Sequence, residues 1–384
     1  MADLVQRSRY AVAAVFCVHG AVTGSFATRV PWIQEHSGVS AGQLGLALAF
    51  PALGAALMMP LAARISHAFG TRNALRGLLA LWTLALVLPS LSPNLLTLCA
   101  SLLVYGGTAG MADVAMNALG VEVEHRLDKS IMSGLHGLWS VGALIGSAAG
   151  TVAAHAELSA QIHHALAAAV LTVIGVVVCQ FVLNVHPSDD EEPPARFALP
   201  PRSALLIGAV GFCAVFAEGA SLDWSAVYLR DVLDSSAGVA AGATTGFTLT
   251  MAIARITGDA VIDRIGAVRT VRWSGVIATA GGVLVVVAPH PVLAMAGFGL
   301  IGIGIAVAVP LAFAAAGHTG ANASHAIAGV ATITYASGLV APSIIGGIAQ
   351  ASSLTMSFLV VTVLATGLAI FAPVLGTRTR SRVS

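Results

Sequence analysis

The chain has 384 residues, 57% hydrophobic and 9% charged, with a net charge of +1 and a mean hydropathy of +0.89. A water-soluble domain carries roughly 25% charged residues, so this composition excludes a soluble globular chain, and the near-neutral charge offers no footprint for nucleic acid. The apolar stretches run continuously instead of alternating, which excludes a β-barrel and leaves helices of about 20 residues, whose backbones satisfy themselves in lipid.

The first apolar run, Tyr10–Val30, follows Arg7 and Arg9 and imitates a signal peptide. Its length, the His19 inside it and the eleven runs behind it predict an uncleaved spanning helix. Further spans are predicted at Gln43–Ile65, Ala74–Leu91, Leu95–Val121, Ile131–Ala153 and Ile162–Val185. Then comes the longest hydrophilic stretch, His186 to Arg202, with Asp189, Asp190, Glu191, Glu192, Pro187, Pro193, Pro194 and Pro200. Proline and like charge keep such a segment extended and solvated. The expected division is a six-helix bundle over 1–187, a cytoplasmic linker over 188–202 and a second six-helix bundle over 203–384. The second set of spans is predicted at Ala204–Leu229, Ala240–Ile262, Thr270–Ala288, Val292–Ala315, Ile327–Ala349 and Met356–Leu375. Cys17, Cys99, Cys179 and Cys213 sit inside apolar runs without CxxC spacing and are read as small hydrophobes. No metal or cofactor is expected.

Lys and Arg set the orientation. With both termini cytoplasmic, fifteen of the 18 basic residues fall on the inner side, Arg255 lies within span eight, and only Arg29 and Arg230 are outside. A shift of 196 residues also lays the first half over the second without a gap. Phe16-Cys17 falls on Phe212-Cys213, Ser40-Ala41-Gly42 on Ser236-Ala237-Gly238, Gly70 on Gly266, Gly106 on Gly302 and Gly142 on Gly338. Six helices per half make this a parallel repeat about an axis along the membrane normal, an arrangement that places a substrate site between the halves.

The loop after span eight reads Gly258-Asp259-Ala260-Val261-Ile262-Asp263-Arg264-Ile265-Gly266. It resembles the Asp-Arg-x-Gly loop of the major facilitator superfamily; the matching first-half loop has His67 where the Asp would stand. Asp113-Val-Ala-Met-Asn117, Met132 to Ser140, Thr28 to Ile33 and Glu218 to Ser225 are similar to the YbjJ-type branch of that superfamily, related to the fucose permeases. The resemblance implies a twelve-helix secondary transporter with spans one, four, seven and ten around the cavity. It assigns the charged loop residues Asp259, Asp263, Arg264 and Gly266, with Arg255, to a cytoplasmic gate. Gly142, Gly146 and Gly150 recur at every fourth position of span five and are read as a packing stripe.

Ionisable residues within a membrane are costly and mark functional candidates. Asp113 and Glu218 fall near the midplane of spans four and seven, Arg29 and Asp223 toward the outer ends of spans one and seven. Their counterparts in the repeat are uncharged, so the scaffold does not need them. Asn117 is one turn from Asp113, and His136, Trp224 and Tyr335 complete the candidate substrate or proton site. Arg255 and Asp259, also one turn apart, are expected to pair. No GxxxxGK[ST] loop is present and no catalytic constellation is legible, so neither an ATP-driven pump nor an enzyme is expected. The expected partners are a small-molecule solute, protons and the lipid bilayer, with the chain acting as a monomer. Proton-coupled symport of a sugar-like solute across the cytoplasmic membrane is the first reading. Proton-driven efflux of amphipathic compounds is the second, and a non-transporting membrane receptor the third.

Overall fold

The computed structural model describes residues 2–128, 131–184, 202–317 and 323–376, and no strand occurs among them. The first half contains α1 (Ala2–Ala27), α2 (Val30–Ser37), α3 (Ala41–Ala47), α4 (Phe50–Phe69), α5 (Thr71–Ala85), α6 (Leu95–Leu127), α7 (Met132–His155) and α8 (Ala160–Val178). The second contains α9 (Arg202–Asp231), α10 (Ala237–Ile265), α11 (Ala267–Val287), α12 (Pro291–Ile305), α13 (Ala308–Gly317), α14 (Ala323–Ala351) and α15 (Leu354–Phe371). Among the described residues twelve segments are long and apolar enough to cross a membrane. The fold is the expected all-α bundle of twelve spans. Large apolar side chains such as Leu57, Leu96, Val152, Val173, Val292 and Val363 are exposed on its outside, as a lipid-facing surface requires.

Among the described residues two spans are each built from two α-helices, and proline explains both breaks. Pro51 has no N–H to give the Ala47 carbonyl, and the chain turns at Leu48–Ala49 between α3 and α4. Pro310 likewise cannot bond the Ala306 carbonyl, and span ten breaks at Ala306–Val307 between α12 and α13. Span four runs past its predicted end at Val121 to Leu127. There Arg126 pairs with Glu122 at 2.6 Å, and Glu124 Oε2 accepts from the Ile131 and Met132 N–H groups at the start of α7. A polar extension therefore continues the helix after its apolar run has ended.

The 196-residue repeat is visible in three dimensions. Span two (Ala41 to Phe69) and α10 (Ala237–Ile265) coincide end for end. Ser40 and Ser236 both cap their helices through the side chain, accepting from Gln43 N and Val239 N. Gly70 (φ 75°) and Gly266 (φ 81°) both make the turn into the following span. The glycine stripe of span five packs as expected: Gly142 lies on the Cys17 carbonyl and Gly146 on that of Ala21, so α7 and α1 touch backbone to backbone.

With twelve spans the two ends of the chain lie on one face, here the terminal face; the other is the distal face. The described contacts between the halves gather toward the distal side. Glu35 after span one and Arg230 at the end of α9 form a 2.7 Å ion pair. Gly45 and Gly346 bring spans two and eleven into backbone contact, and Gln350 accepts from Gly42 N. Between α7 and α10, Thr151 bonds Thr245 at 2.8 Å and Ser147 bonds Thr248 at 2.9 Å.

Candidate functional site

A small pocket lies where α7, α9 and α10 meet, between the halves. Its lining includes Trp139 and Ser140 from the first half and Glu218, Phe247, Met251 and Arg255 from the second. Arg255 organises it. Its Nη2 donates to both carboxylate oxygens of Glu218 at 3.0 Å, and its Nη1 donates across the interface to Ser140 Oγ at 3.1 Å. Its Nε reaches the Ala306 carbonyl at 3.5 Å, the acceptor that Pro310 leaves free. About a fifth of each charged side chain remains exposed, so the pair faces the cavity instead of being sealed in the core.

The first-half wall is aromatic and polar. Trp139 Nε1 donates to His19 Nδ1 at 3.0 Å, so that nitrogen carries no proton, and His19 Nε2 lies 3.4 Å from the Ala109 carbonyl. His19 stacks on Trp82, which packs on Tyr105. Asp113 is half-buried on α6 and accepts from Asn117 Nδ2 at 3.1 Å. It lies within Coulombic reach of both His19 and His136, and His136 is also within reach of Arg255. One electrostatic cluster thus joins Asp113, His19, His136, Arg255 and Glu218 across the two halves.

The other expected residues divide. Asp223 is half-buried on α9 and acts electrostatically on Tyr105 of the first half. Trp224 is fully buried on α9 and is not among the residues lining the cavity. Arg29 is buried on the distal side, donating to the Leu158 carbonyl, and forms no ion pair among the described residues. Tyr335 lies on α14, but its side chain is outside the described residues, as is the 188–201 part of the linker. Asp259, Asp263, Arg264 and Gly266 are exposed at the terminal-face end of α10. The expected Arg255–Asp259 pair is replaced by Arg255–Glu218, because Arg255 turns inward to the cavity. Ser140 belongs to the cluster without having been singled out; its polar position was visible, but its partner Arg255 lies on another span.

The profile of the Major Facilitator Superfamily matches residues 12–243. The chain belongs to that superfamily. The uncharacterized transporter y4wD of Sinorhizobium fredii is 33% identical over 95% of this chain and 97% of its own length. Membrane protein MosC of Rhizobium meliloti is 32% identical over 91% of this chain and 85% of its own. Among solved structures, the nucleoside transporter NupG (D323A mutant) superposes with a TM-score of 0.74 over 97% of this chain and 99% of its own, at 11% identity. The outward-conformation structure of FucP superposes with a TM-score of 0.62 over 96% and 98%, at 16% identity. At such identities the superpositions establish the major facilitator fold and nothing finer. The chain is a transporter and not an enzyme, in keeping with its family and relatives.

Proposed function

We propose that this major facilitator protein is a proton-coupled secondary transporter that moves a small, polar, sugar-like solute by alternating access. The observation that carries the reading is the Arg255 guanidinium, shared between Glu218 in its own half and Ser140 in the other. A proton on Glu218 removes the charge that holds Arg255 in place. The state of one carboxyl is thereby linked to a contact between the halves, which is what coupling requires. Charge counting supports the same reading: Asp113, Glu218 and Asp223 lie within spans four and seven, against Arg255 in span eight and Arg29 at the distal end of span one. An excess of intramembrane carboxyl groups suits proton uptake.

In this reading the contacts at the distal face are the closed gate. Exposed Asp259, Asp263, Arg264 and Gly266 form the terminal-face latch, open in this state. The terminal face is cytoplasmic, the 188–202 segment links the bundles there, and the chain works as a monomer. The motif likeness to fucose permeases, together with relatives in fold that include a D-xylose–proton symporter, points to carbohydrate-like solutes. Phe247, Met251 and Leu222 on the cavity wall also suit a solute with an apolar face, and favour proton-driven efflux of an amphipathic compound as the second reading.

The test is transport in proteoliposomes with a panel of labelled pentoses, hexoses and nucleosides. A proton gradient should drive accumulation of at least one. Glu218→Gln should abolish accumulation while sparing exchange; Asp113→Asn should either do the same or lose exchange as well, according to whether Asp113 couples or binds. If both variants accumulate solute with the parent's pH dependence, neither carboxylate has the role proposed.

A further inference from the structure

The distal ends of α1, α7 and α8 enclose a group of side chains that the transport cavity does not use. Arg29 is 3% exposed; its Nη2 donates to the Leu158 carbonyl, while its Nη1 is buried without a hydrogen-bond partner. His163 is 6% exposed and His164 fully buried, with ring centroids 5.3 Å apart. None of their four ring nitrogens has a hydrogen-bond partner. The Ser25 carbonyl lies beside His164 without meeting hydrogen-bond geometry, and both rings are within Coulombic reach of the guanidinium. Five orphaned nitrogens thus gather around one buried positive charge, and among the described residues no carboxylate pairs with it.

A native structure pairs its buried polar groups, and a cluster of orphans calls for a bound water or ion. Water would satisfy the hydrogen bonds but leave the guanidinium charge uncompensated, at high cost in a low-dielectric setting. An anion does both, since the free Arg29 Nη1 and an N–H from each imidazole are donors. The surroundings are close-packed. Gly150 abuts Thr28 and His163, with His163 Cε1 3.2 Å from where a Cβ would stand. The Thr28 hydroxyl already donates to the Ser25 carbonyl at 3.0 Å. Burial of Arg29, His163 and His164 keeps out a lipid headgroup and favours the smallest anions. We propose that Arg29, His163 and His164 form a binding site for a single halide-sized anion, met physiologically by chloride, which neutralises Arg29 and ties the distal ends of α1, α7 and α8 together.

The experiment follows thermal unfolding of the purified full chain in detergent at constant pH and ionic strength. Replacing sodium gluconate with sodium chloride or bromide should raise the midpoint saturably by a few degrees. Phosphate and added phosphatidylglycerol should not reproduce that rise. Arg29→Gln should abolish the halide response, and His164→Gln should weaken it. Equal midpoints in chloride and gluconate, a full halide response in Arg29→Gln, or an equal response to phosphate or anionic lipid would each overturn the proposal. If Arg29→Gln does not fold, wild-type crystals grown in bromide decide: an anomalous peak beside Arg29 Nη1 supports the site, and its absence there removes it.

Discussion

Arg255 holds three acceptors from three parts of the chain: Glu218 on α9, Ser140 on α7 and the Ala306 carbonyl at the break in span ten. Removing one partner of such a pair leaves the other charge exposed to a poor solvent, a loss of 3–5 kcal/mol for a fully buried pair. This pair is about a fifth exposed, so the loss is discounted for screening. Arg255→Met should therefore destabilise the protein by roughly 2 kcal/mol, measured by thermal unfolding in detergent. Adding Glu218→Gln should restore most of that loss, because the orphaned carboxylate is then neutral. A double variant as unstable as Arg255→Met alone would show that the pair is not what Arg255 contributes. The double-variant cycle isolates the coupling because the two residues touch directly. The sequence made both residues conspicuous through the cost of charge in lipid. It did not reveal the pairing: Asp259 was the carboxylate one turn away, whereas Glu218 comes close only when α9 packs against α10.

At the scale of elements, hydropathy located the spans well, since a spanning helix cannot hide its apolar length. What it missed follows from local chemistry. The Pro51 and Pro310 breaks interrupt the hydrogen-bond ladder without interrupting the apolar run, so spans two and ten looked continuous. The last turns of α6 are polar, so an apolar criterion stopped short of them. The close approach of spans two and eleven was equally hidden, for it depends on two glycines 301 positions apart meeting face to face. A Cβ on Gly45 would stand 2.5 Å from the Pro342 carbonyl oxygen, and one on Gly346 would stand 2.6 Å from that of Ala41. Backbone cannot yield there as a flexible side chain can. Gly346→Leu should thus force the distal ends apart and shift the population away from the distally closed state. Spin labels at exposed His36 and Ser352, one on each half, should then report a distance several ångströms longer than in the parent. An unchanged distance distribution would mean that this glycine contact does not control closure.

For the whole molecule, charge and closure point the same way. Apart from the Arg255–Ser140 bond in the cavity, the described hydrogen bonds and the ion pair that join the halves lie toward the distal side, and the exposed loop from Asp259 to Gly266 lies on the terminal face. Basic residues are divided just as unevenly. Ten described Arg lie toward the terminal face, five further Lys and Arg fall by sequence in adjoining segments outside the described residues, Arg255 lies in the cavity, and Arg29 and Arg230 are distal. Those two distal cations are both engaged, Arg29 with a carbonyl and Arg230 with Glu35, so neither is a loosely held loop charge. Lys and Arg in short loops are retained on the cytoplasmic side. The terminal face should therefore be cytoplasmic, with the distal gate toward the outside. Ser352 in the turn between α14 and α15 is exposed at the distal face, and Ser188 falls in the acidic segment between the halves. In intact cells a membrane-impermeant maleimide should label a Ser352→Cys variant and spare Ser188→Cys, which should react only after the membrane is opened. The native cysteines interfere little, since Cys99, Cys179 and Cys213 are buried and Cys17 lies within span one. Labelling of Ser188→Cys but not Ser352→Cys would invert the topology. The contacts now ascribed to an outer gate would then face the cytoplasm, and protons would have to reach Glu218 in this state from outside the cell.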